Sequence, residues 1–137
     1  MKPPLLVTAA MIINNNKILL VKRAREPYNA FWSFVSGCGA FEEVSDPVEA
    51  VKIEVKGDLN CEFEPTFFKY SYTTLKIPTI ALFFYGTIKG APKITPKYVL
   101  ECKWFNLDEA INMKLGFDHN KILNDFLKTS PHGQYSI

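Results

Sequence analysis

The chain has 137 residues, of which 47% are apolar, 14% aromatic and 22% charged; this describes one domain that buries roughly two-thirds of its unfolded surface and excludes disorder for the bulk of it. Sixteen basic residues against fourteen acidic ones leave a formal charge of +2, too small to attract a nucleic acid or a membrane surface by overall electrostatics, so any polyanion must be met locally. No stretch reaches the roughly 18 apolar residues of a membrane span. The three cysteines, Cys38, Cys61 and Cys102, cannot all pair internally, which is the usage expected of a reducing, cytoplasmic home.

Met1-Lys2 followed by the apolar Leu5 to Ile13 has the outline of a signal peptide, but Pro3-Pro4 and the lack of a small-x-small cleavage pattern count against one. Leu5 to Ile13 and Lys17 to Arg23 are β-rich runs joined by Asn14-Asn15-Asn16, and Asn tolerates the left-handed backbone of a tight turn, so they read as a hairpin. A polar connection, Ala24 to Ala30, leads to a short aromatic strand from Phe31 to Ser36. Gly37-Cys38-Gly39 opens a loop. Asp46 as N-cap, Pro47 at the first helical position and Glu49 three residues after the cap predict a helix from Pro47 to about Leu59. Glu62 to Thr73 and Ile77 to Ile88 are expected to pair antiparallel with a turn near Leu75. Tyr98 to Phe105 is a further strand, and Leu107 to Met113 and His119 to Lys128 read as helices ahead of a polar tail, residues 129–137. The order β β β α β β β α α gives a mixed sheet that needs helices on both faces, an α/β/α sandwich in a single domain.

At about 100° per residue, Val48, Val51, Val55 and Leu59 form one apolar stripe of the first helix. Glu54 and Asp58 lie four residues apart on its flank, so both carboxylates reach one point in space. The preceding loop, with its glycines and the acids Glu42 and Glu43, can curl toward the same point. Hard oxygen ligands of this kind suit Mg²⁺ or Mn²⁺. Spacing alone leaves a second reading open, a solvated flank whose acids pair with Lys52 or Lys56. A helix-start role suits Asp118, which precedes the helical run Asn120 to Leu127. Lys22, Arg23 and Arg25 end the second strand where phosphates could be met. Of Phe31, Trp32, Phe67, Phe68, Tyr70 and Tyr72, two or three are expected to face a pocket as stacking partners for a base.

The stretch from Gly37 to Cys61, with Trp32 before it, resembles the signature loop-helix of the Nudix pyrophosphohydrolases. Gly39, Glu54 and Val55 match that family's box, and Asp58 replaces its last Glu. Asn60 and Cys61 stand where Gly and an aliphatic residue belong. Ser45, Ile53 and Gly57 replace the first Glu, the Arg and the first Glu of the closing pair. VTAAMIINNNKILLVKRA is similar to the family's first hairpin, KWFNLDEA to its Trp-bearing strand and FDHNKILNDFL to its closing helix, so the resemblance covers nearly the whole chain.

The resemblance implies a Nudix-type α/β/α sandwich with a mixed sheet and a metal-dependent pyrophosphohydrolase cleaving a nucleoside diphosphate linked to another moiety. Carried over by position, Glu54 is the catalytic residue and a metal ligand, and Asp58 and the Cys38 carbonyl are further ligands, with Glu42 standing in for an absent one. Arg23, Trp32 and Gly39 are the substrate-side candidates, Mg²⁺ or Mn²⁺ the cofactor and a nucleotide-derived small molecule the partner. Gly57 removes one carboxylate and Asp58 shortens the reach of another, which lowers the expected metal affinity, while Ser45 and Ile53 together remove the pair that steadies the family's loop. These departures open the alternative of an inactive Nudix domain that binds a nucleotide, an RNA end or a protein. Homodimers occur in the family, and nothing in the sequence selects one.

Overall fold

The computed structural model describes residues 3–74 and 77–129. Strand β1 (Leu5–Asn14) turns into β2 (Lys17–Arg23) through Asn15 and Asn16, both with positive φ (47° and 65°), the backbone that a two-residue hairpin requires and that Asn accepts. The expected third strand is two short ones, β3 (Trp32–Ser33) and β4 (Val35–Gly37). β1 and β2 pair only from Ile12 to Asn14. Beyond that point they diverge, with β3 antiparallel to β2 and β4 antiparallel to β1. The single aromatic run therefore serves two strands, and Phe34 sits fully buried at the crossing.

Helix α1 (Pro47–Leu59) has the predicted bounds. The Asp46 side chain accepts from the Val48 N–H at 2.9 Å and caps it. Glu49 takes no part in the cap and pairs with Lys52 at 3.5 Å. At the other end Asn60 holds φ 55° and its Nδ2 donates to the Lys93 carbonyl at 2.8 Å and to Thr95 Oγ1 at 3.1 Å. The left-handed C-terminal position that usually takes Gly is thus filled by the residue type that tolerates it next best.

β5 (Glu62–Thr73) and β6 (Thr79–Lys89) are antiparallel as expected; residues 75–76, where the turn was placed, and the tail from 130 onward lie outside the described residues. β6 runs parallel to β1, and β7 (Val99–Asn106) runs antiparallel to β2, which completes a seven-stranded mixed sheet. α2 is shorter than predicted (Leu107–Ala110), and α3 spans His119–Thr129.

Alternation along β1 and β2 sends Ala9, Met11, Ile13, Ile18 and Leu20 to one face with Ile122, Leu123 and Phe126 of α3. Ala10, Ile12, Leu19 and Val21 go to the other face with Val51, Val55 and Leu59 of α1. The sheet therefore has a core on each side and the molecule is an α/β/α sandwich. Val48, expected in the apolar stripe, is 38% exposed; the first turn of α1 overhangs the core, and Ala50 is buried in its place. Among the described residues no helix is long and apolar enough to cross a membrane.

Candidate active site

A cavity of about 1050 Å³ opens between the start of α3, the turn over residues 37–43 and the flank of α1. α1 places Glu54 and Asp58 in its wall, one turn apart as their spacing requires. Glu54 is held by the loop: its Oε1 accepts the Ala40 N–H at 3.3 Å, and Gly37 passes so close that a Cβ there would overlap the carboxylate. Among the described residues, neither acid pairs with Lys52 or Lys56.

Asp58 is only 5% exposed, and no described residue donates to its carboxylate. Burial pushes its pKa up to about 6, with Arg25 pulling it down, Glu54 adding to the rise and Arg23 opposing it. Burial raises Glu54 as well, against the Ala40 N–H and the charge of Arg25. Arg25 arrives from the connection after β2. Its Nη2 donates to the Ser36 carbonyl at 3.3 Å, and its guanidinium carbon lies 4.9 Å from the Tyr98 ring centroid. The acid pair thus faces a cation that forms no salt bridge with it.

Among the described residues no three His, Cys, Asp or Glu side chains cluster as a preformed metal cage requires. Glu42 reaches the same cavity from an exposed position in the turn. The Cys38 carbonyl accepts the Phe41 N–H at 3.2 Å, which occupies one of its lone pairs. Two carboxylates in one wall do fit a Mg²⁺ that keeps several waters and completes its shell with phosphate oxygens of a ligand.

On the ligand side, Gly39 lines the cavity with open space around its Cα. Arg23 lines it too and is 6% exposed, its Nε donating to the Pro27 carbonyl at 2.7 Å. Trp32 does not reach it. Its ring packs edge-on against Phe105 at 5.0 Å and rests on the α3-side core, because the short β3 turns it toward β7 rather than toward α1. None of the six aromatics expected to supply stacking partners lines the cavity. Tyr28, Phe83, Tyr98 and Phe117 do.

The model of the NUDIX domain matches residues 4–126 of the chain. The chain belongs to the Nudix family.

Solved Nudix structures agree with the fold. The NUDIX domain of Shewanella oneidensis NrtR, solved with ADP ribose, superposes with a TM-score of 0.83 at 18% identity, over 93% of this chain and 89% of that one. A MutT NUDIX hydrolase from Burkholderia pseudomallei gives a TM-score of 0.77 at 24% identity, over 90% and 98%. A bifunctional NMN adenylyltransferase/ADP ribose pyrophosphatase from Francisella tularensis, solved with AMP and a manganese ion, gives 0.70 at 20% identity; the match covers 93% of this chain and 42% of that one. At these identities the likeness concerns the fold. Among curated proteins none matches.

Against the Nudix box, the cavity explains two of the departures. Ile53, where the box has Arg, lines the cavity, and Arg25 brings a guanidinium to the acid pair from another element. Gly57, where the box has Glu, also lines the cavity and has nothing within 4 Å of the Cβ it lacks, so the place of the absent carboxylate is open space. Arg25, named from the sequence with Lys22 and Arg23 as a residue that could meet phosphates, faces the acid pair. Tyr28, Tyr98 and Phe117, which sequence reasoning left out of the site, come from connections and strand ends with no local pattern.

Proposed function

We propose that this Nudix domain is a slow pyrophosphohydrolase acting on a nucleoside diphosphate linked to another moiety, with Mg²⁺ or Mn²⁺ held by Glu54 and Asp58 against the ligand's diphosphate. The observation that carries this reading is the pair of carboxyls in one cavity wall, neither tied to a lysine and one of them buried without a donor. Nudix neighbours solved with ADP ribose or with AMP and manganese support the ligand class. The cysteines are all free, which supports a reducing, cytoplasmic location.

When bound, the divalent ion supplies charge neutralisation at the phosphoryl group and a water of lowered pKa. The chain's own residues do the rest. Glu54, raised by burial and anchored by Ala40, would take the proton of a water attacking the diphosphate. The new P–O bond would form as the anhydride P–O bond breaks and the phosphorylated product leaves. Arg25 keeps a fixed positive charge beside the pair where negative charge accumulates.

Turnover of nucleoside diphosphate sugars, ADP-ribose, NADH, dinucleoside polyphosphates, oxidised nucleoside triphosphates and capped RNA with each metal tests the reading. Glu54→Gln is expected to lower kcat at least about tenfold, roughly 1.4 kcal/mol of barrier. An unchanged rate removes Glu54 from the mechanism. One observation favours a second reading, a non-catalytic nucleotide-binding domain: the absence of a three-acid cluster among the described residues. That reading requires nucleotide affinity that barely responds to Mg²⁺ and no product with any metal.

A further inference from the structure

His119 enters the cavity wall 3% exposed, at the start of α3. Its ring is fixed from several sides. It stacks on Phe34 with centroids 4.2 Å apart and 7° between planes, meets Phe83 edge-on at 5.9 Å and lies 5.1 Å from Phe117. Nδ1 accepts the Phe34 backbone N–H at 3.1 Å. A nitrogen that accepts carries a lone pair, so the proton of the neutral ring is on Nε2. Burial and the neighbouring Arg23 hold the pKa down at about 3, which keeps the ring neutral and removes it from general acid or base work near pH 7.

Nε2–H has no acceptor among the described residues. Thr8 Oγ1 is the one side-chain polar atom there that is both sealed from solvent and unpartnered, so the equally unpartnered Nε2 opens on the cavity. Arg23 stands beside it. Its guanidinium carbon lies 4.9 Å from the centroid of Phe117, the same ring that borders His119, and Nε is taken by Pro27. The two Nη groups make no salt bridge with any described residue. Two side chains, each more than nine-tenths buried, therefore present unused donors to one region of the cavity. A buried cation without a bonded counter-ion is costly until an anion arrives, and a guanidinium next to a fixed N–H suits the oxygens of a phosphoryl group.

We infer that His119, as a neutral Nε2–H donor, and Arg23 form an anion subsite that grips a phosphoryl group of the ligand directly, without a metal ion between. This rests on the reading that the cavity takes a nucleotide derivative, and adds to it a second phosphate contact beside the Glu54–Asp58 pair, whose Asp58 feels the charge of Arg23.

The test is an NMR titration of the full chain in EDTA with inorganic pyrophosphate and with ADP, following the His119 ring nitrogens and the amides of residues 37–40. The expected result is an Nε2–H tautomer in the free protein and a shift of Nε2 with both probes. Arg23→Gln is expected to weaken ADP binding about tenfold or more. His119→Asn keeps an acceptor near Nδ1 for Phe34 while deleting the Nε2 donor, and should weaken ADP binding severalfold, with a lower Tm from the lost ring contacts. Unmoved Nε2 while ADP shifts the amides at 37–40 overturns the subsite and leaves the nucleotide reading standing. Silence of both regions toward ADP in EDTA overturns the subsite, and silence that persists after Mg²⁺ is added overturns the nucleotide reading with it. The wild-type spectra decide the matter even where a variant fails to fold.

Discussion

At Gly37 the backbone of β4 runs against the carboxylate of Glu54, and what the glycine provides is room. Its φ is not among the positive ones, so an alanine fits the backbone and collides only with a movable side chain. Gly37→Ala is therefore expected to leave Tm nearly unchanged and to displace Glu54 from the Ala40 N–H, lowering turnover about tenfold. A variant with parental kcat and Tm would show that this close approach does not position the acid. Asp58 depends on its surroundings in a different way, since the same burial that leaves its carboxyl free for a ligand also raises its pKa to about 6.

Along α1 the missing carboxylate and the helix backbone point to one substitution. Gly57 sits inside the helix, where glycine costs about 1 kcal/mol relative to alanine. The space over it is empty and faces the cavity. Gly57→Glu should raise thermal stability in the presence of Mg²⁺ and tighten Mg²⁺ binding about tenfold or more, measured by calorimetry with and without nucleotide. Any anhydride hydrolysis should rise with it. Unchanged metal affinity would mean that Glu54 and Asp58 do not lie where a third carboxylate can join them. This element was also the most legible part of the sequence. Its cap, bounds and the convergence of Glu54 with Asp58 all follow from local spacing. By contrast Tyr28 and Phe117 owe their places in the wall to left-handed backbone at non-glycine positions (φ 63° and 57°), which no local propensity announces. Trp32 misled because strand alternation fixes a face only once the partners of the strand are known, and the aromatic run splits between two.

Across the whole molecule the strand and helix order was readable because each element has its own hydrophobic period. The pairing of β6 parallel to β1, and the divergence of β1 from β2, were not, since they are settled between segments far apart in the chain. Stability against pH is likewise a property of the whole. Between the ordinary 3.8 of Asp58 and its raised value of about 6, the folded chain keeps a proton that the unfolded chain has released. Stability therefore falls as pH rises through that window, by on the order of 2–3 kcal/mol in all. His119 works in the opposite sense: below its ordinary 6.5, and down to about 3, the unfolded chain binds a proton that the fold refuses, so stability falls as pH drops. The two slopes oppose each other between about 4 and 6. Asp58→Asn should make the protein more stable at neutral pH and expose a steeper loss of Tm on acidification below pH 6.5. Parallel Tm profiles for parent and variant would refute the assignment of the raised pKa to Asp58.

The hydrogen bond from the Phe34 N–H to His119 spans 85 positions of the chain, and it closes the gap where β1 and β2 part. A ribosome that has not yet delivered α3 has made both hairpin strands and the acid-bearing helix but not the ring that locks the split between them. Ligand competence would therefore arrive late in synthesis, and a product cut short before residue 119 would display the box without a finished pocket.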